Sequence, residues 1–82
     1  MNMKSQIVTA LRNKYESDIV SARVNLEVYF QNTVGVAEHP DVVASVDGQI
    51  QIIAEARDKL QEIEDMEMQQ ISQMTTQDII NG

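Results

Sequence analysis

The 82-residue sequence predicts an all-α fold: an antiparallel two-helix hairpin, completed by homodimerisation into a four-helix bundle or larger assembly. Three observations lead there. Apolar residues recur at helical spacing through residues 4–32 and again through 40–68. The segment Asn32-Thr33-Val34-Gly35-Val36-Ala37-Glu38-His39-Pro40-Asp41 between them reads as a turn. The apolar surface also exceeds what two rods can hide from water between themselves.

The first helix is expected over about residues 4–32. Val8, Tyr15, Ile19, Ala22, Leu26 and Tyr29 line one stripe, and no glycine or proline interrupts it. Asn32 opens the turn, residues 33–39, where Gly35 can take a positive φ at no steric cost. The second helix is expected to start near His39-Pro40-Asp41. Proline suits a first turn because its missing N–H would have no partner there, and Glu38 and Asp41 put negative charge near the positive end of the helix dipole. Val42, Val43, Val46, Ile50, Ile53, Ala56, Leu60 and Ile63 continue the apolar pattern of a helix that runs to about residue 68 or beyond. Gly48 inside this run either lets a neighbouring helix come close or is a weak point costing about 1 kcal/mol relative to alanine; the sequence leaves both open.

Folding at the turn sets Asp41 level with Asn32 and Met68 level with Ser5, so residues past Met68 overhang the first helix. The hairpin domain is thus residues 1–68. Residues 69–82 form an extension, expected to be helical at first and then to fray, because Thr75-Thr76 and Ile79-Ile80 are β-branched pairs among polar residues.

Composition narrows the function classes. There is no cysteine, so disulfides and thiolate metal ligands are excluded. The net charge of −7 and the scarcity of aromatics argue against nucleic-acid binding. No apolar run suggests a signal peptide or a membrane span, so a cytoplasmic protein is expected. Charge is uneven: residues 1–37 sum to +1 and residues 38–82 to −8. No phosphate-binding glycine loop or nucleophile elbow is present. His39 is the sole histidine and is read as part of a helix start, so no metal, cofactor or catalytic residue is expected.

What the sequence offers instead is surface. Val20, Val24 and Val28, at i, i+4 and i+8, lie off the main seam of the first helix. The apolar arc of the second is broad, from Ile52 and Ile63 on one side to Val43 and Ile50 on the other. After Ile63, Glu64 and Glu67 fall on the seam line, and apolar side chains resume at Met66, Met68, Ile71 and Met74, read as a second part of an assembly face. The expected function is non-enzymatic: self-association and contact with a protein partner. An alternative is an acidic inhibitor, with Asp58, Glu62, Glu64, Asp65 and Glu67 presented to a basic host protein.

The run Asn32-x-Val34-Gly35-x-x-Glu38-His39-Pro40-Asp41, followed by Asp47-x-Gln49 and Ile53-Ala54-Glu55-Ala56-x-Asp58-Lys59-Leu60, resembles short uncharacterised two-helix proteins of tailed bacteriophages. The resemblance covers roughly residues 15–63. It implies a phage accessory protein in the cytoplasm of an infected bacterium, or a minor virion protein, and transfers no site residue. The architecture is also similar to the WxG family of secreted helical hairpins, but Thr33-Val34-Gly35 lacks that family's tryptophan.

Overall fold

The computed structural model describes the backbone of residues 2–31 and 41–81, and the side chains of residues 2–31 and 41–69. Among these residues there are two helices and no strand: α1, Met3–Gln31, and α2, Val42–Asn81. They pack against each other along their lengths. The molecule measures 67 × 21 × 15 Å, a cross-section of two helices side by side. The expected roles of Asn32, Gly35, Glu38, His39 and Pro40 lie outside the described residues.

Each helix begins on a side-chain cap. Asn2 Oδ1 accepts from the Ser5 N–H at 2.8 Å, and the Asn2 carbonyl accepts from the Gln6 N–H at 3.1 Å. Asp41 repeats the arrangement: its Oδ1 accepts from the Ala44 N–H at 3.2 Å, and its carbonyl accepts from the N–H of Ser45. Both side chains satisfy the third N–H of their helix, one of the donors left without an intrahelical partner. Asp41 is therefore the cap, and α2 starts at Val42 instead of about residue 40. At the far end the backbone is helical through Asn81. Between Gly48 and Gly82 neither glycine nor proline breaks the run.

The two seams share a seven-residue repeat. On α1 the residues turned inward include Val8, Tyr15, Ala22 and Tyr29, with Leu11, Ile19 and Leu26 between them. On α2 they are Val42, Gln49, Ala56 and Ile63, with Val46, Ile53 and Leu60 between. Such spacing keeps a stripe facing its partner along the rod. Register follows from two cross-helix contacts. Asn25 Nδ2 donates to Gln49 Oε1 at 3.0 Å, and Lys59 Nζ lies 5.4 Å from the centre of the Tyr15 ring. Both pairs are one residue from the alignment expected from the turn. By that register Ile19 is nearly level with Ala56, and Ala22 with Ile53. A large residue faces a small one in each layer, which lets the helices approach closely.

Burial is thin. Only Ile19, Ala22, Ala56 and Ile63 are buried among the described residues, and no polar side chain is. Because α2 has 40 residues and α1 has 29, α2 projects past the start of α1 by roughly 16 Å at about 1.5 Å per residue.

Candidate interaction surfaces

Successive residues of a helix turn by about 100°, so the seam fixes where every other side chain points. Val20, Val24 and Val28 project away from α2, and they are 59%, 56% and 56% exposed. Their β-branched side chains form a ridge along α1, with the smaller Ala10, Ser17 and Ser21 beside it, all exposed. Charged side chains of α1 keep off the centre of this arc, though Glu27, seven residues after Val20 and three after Val24, borders the ridge. Arg12 and Asp18 are half-buried toward α2, while Lys14, Glu16, Arg23 and Glu27 lie on the flanks.

The corresponding outer arc of α2 has a different character. Asp58, Glu62 and Asp65, expected as part of an acidic surface, project there, joined by Asp47 and Glu55. No lysine or arginine shares the arc: Arg57 and Lys59 sit on its flanks. Gln51 donates to Glu55 at 3.0 Å and Gln61 to Asp65 at 2.9 Å, one helical turn apart in each case. Glu64 and Glu67 do not belong to this group. They point toward the α1 side, as the projection along the helix implies, and Glu67 Oε1 accepts from Arg12 Nη2 at 3.0 Å.

The methionines are not brought together. Met66 and Met68 are 57% and 64% exposed, but two residues apart on a helix means roughly opposite flanks of the seam, about 160° apart. They cannot form one patch. The side chains of Ile71 and Met74 lie outside the described residues. Of the broad apolar arc of α2, Ile63 is buried, whereas Val43, Ile50 and Ile52 are 81%, 51% and 41% exposed.

Three polar contacts across or beside the seam were not foreseen: the Asn25–Gln49 rung, the Arg12–Glu67 bridge, and Tyr15 flanked by Lys14 and Lys59, with Nζ at 5.6 and 5.4 Å from the ring centre. Their only sequence signal is register. Once Asn25 is aligned with Gln49, the other pairs fall within reach of long side chains.

A recess of about 260 Å³ lies beside the Arg12–Glu67 bridge, lined also by Asn2, Lys4, Ser5, Val8 and Thr9. Among the described residues no three potential metal ligands converge, and no helix is long and apolar enough to cross a membrane. No family model, curated protein sequence or solved structure matches the chain.

Proposed function

We propose that this protein acts without catalysis, as a helical hairpin that associates with copies of itself and works through protein contact. The observation that carries this reading is the exposed valine ridge on α1. Three β-branched residues in a row, each more than half exposed, are an unusual choice for the solvent side of a helix, where charged and polar residues normally stand. In the setting we propose, suggested by the turn motif alone, the protein operates in the cytoplasm of a phage-infected bacterium or as a minor part of a virion.

Sedimentation equilibrium on the full chain tests the reading. A dimer or larger species at micromolar concentration is expected, with a melting temperature that rises with protein concentration, as mass action requires. A folded monomer whose melting temperature does not change with concentration would remove it.

A second reading rests on the outer arc of α2, where five carboxylates stand with no cation among them. This face would capture a basic protein, and the hairpin would act as an acidic inhibitor. Exposed charges are screened beyond about 8–10 Å at physiological ionic strength, so such capture should weaken steeply with added salt. Capture indifferent to salt would exclude it.

A further inference from the structure

We infer that the occupant of the valine ridge is a second copy of this chain, and that the pair is a four-helix layer with the two α1 helices in the middle; this rests on the self-association proposed above. The argument turns on charge. In a two-fold pair the same patch meets itself, so a charged side chain near the axis faces its own like. On a chain of net charge −7 most of the surface fails that condition. The outer arc of α2 fails it worst, because its five carboxylates would oppose five more. The outer arc of α1 comes nearest to satisfying it: within about 40° of Val24 every residue from Gln6 to Gln31 is uncharged, and Glu27 stands at the edge, beside Val20. A different protein would not require neutrality, since an acidic chain can meet a basic partner through opposed charges.

The shape of the ridge also suits a copy. Val20, Val24 and Val28 form an i, i+4, i+8 row, and two such rows interdigitate when helices cross at about −50°. Val24, the middle knob, then lies beside the two-fold axis.

The angle between the two apolar stripes fixes the arrangement. In a square four-helix bundle each helix buries two faces about a right angle apart, one toward each neighbour. Here the seam and the valine ridge lie on opposite sides of α1. The order across the assembly is therefore α2, α1, α1 of the copy, α2 of the copy. Both acidic arcs of α2 face outward, as far apart as the assembly allows.

Sedimentation equilibrium of the full chain, Val24→Glu and Met68→Glu separates the possibilities. We expect a native dimer, a dissociation constant for Val24→Glu about a hundredfold or more weaker, because like charges facing each other across an interface are strongly disfavoured, and no change for Met68→Glu. A native oligomer that survives Val24→Glu intact would overturn this interface while leaving self-association in place. A native monomer would overturn both. Should Val24→Glu fail to fold, the cysteine-free chain permits a second measurement. Val24→Cys treated with a short bismaleimide should give covalent dimer and Asp58→Cys should not. The opposite pattern refutes the layer.

Discussion

Ala22 and Val24 stand two residues apart on α1, and their environments are inverted relative to their size. Ala22 is 1% exposed; Val24, larger and β-branched, is 56% exposed. The inner face of α1 buries the small Ala22 beside Ile19 against α2, and the outer face keeps bulk where no part of the described hairpin covers it. Helix α2 shows the opposite habit. Its inner face buries Ala56 and Ile63, and its outer face is acidic. The lesson is that a helix's outward side need not be a solvent side. On α2 the outward residues are those that water solvates best, and on α1 they are those that a neighbour must cover.

The largest effect should come from truncating matched isoleucines on the two sides of that boundary. Ile63 is 4% exposed and Ile50 is 51% exposed. Ile63→Ala leaves a cavity in a thin seam and should cost about 2–5 kcal/mol, a large share of the roughly 5–15 kcal/mol that holds a typical domain folded. Ile50→Ala should cost less than about 1 kcal/mol, since exposed substitutions mostly fall within about 0.5 kcal/mol. Urea unfolding followed by circular dichroism measures both. Equal losses would mean that the seam is not the core.

Next comes a pair whose signs differ. Ala22→Leu forces three extra heavy atoms into a position only 1% exposed and should destabilise by about 1–3 kcal/mol at any protein concentration. Val24→Ala should behave conditionally. On an isolated helix, alanine is favoured over valine by a few tenths of a kcal/mol, so the variant should match or exceed the native chain when dilute. Where dimers form it should melt lower, because the ridge has lost contact area. Thermal scans over a hundredfold concentration range would display the crossover. Its absence would make the outer face of α1 an ordinary wet surface.

Much of this contrast could be read in the sequence, for a physical reason. A regular helix converts spacing into direction, so the seam, the spare valines and the departure of Glu64 and Glu67 from the outer arc all follow from the 3.6-residue period. What periodicity does not encode is reach and local capping. Arg12 and Glu67 meet because both side chains are long. Asn25 meets Gln49 only after the register is known. Asn2 is a cap whose signal is a single residue at the start of the chain. Grouping Met66 with Met68 failed because they are close along the chain and far apart around the helix. Asp41 shows its charge in the sequence, but not the hydrogen bond its side chain accepts from the Ala44 N–H, which starts α2.

Gly48 sharpens the comparison at the boundary of the two faces. A methyl group built there meets nothing within 4 Å, so of the two readings open at the sequence level, close approach of α1 is not what this glycine serves. Gly48→Ala should stabilise α2 by up to about 1 kcal/mol, by removing a residue that loses much freedom on folding. A loss instead of a gain would mean that a copy or partner packs against that spot.

The smallest effect should come from the two ion pairs of α1, and it tests whether α1 and α2 pack in solution in the alignment described. Arg12 reaches Glu67 on the other helix, and Lys14 reaches Asp18 one turn along its own, at 3.0 and 3.1 Å. All four groups are substantially exposed, so each pair should contribute about 0.2–1 kcal/mol at most and less in high salt. A double-mutant cycle of Arg12→Gln with Glu67→Gln should still return a measurable coupling, and it should shrink when Ile63→Ala loosens the seam. The cycle of Lys14→Gln with Asp18→Asn should survive that change, because a single intact helix maintains its geometry. If both couplings persist unchanged in the Ile63→Ala background, the Arg12 contact does not depend on the seam.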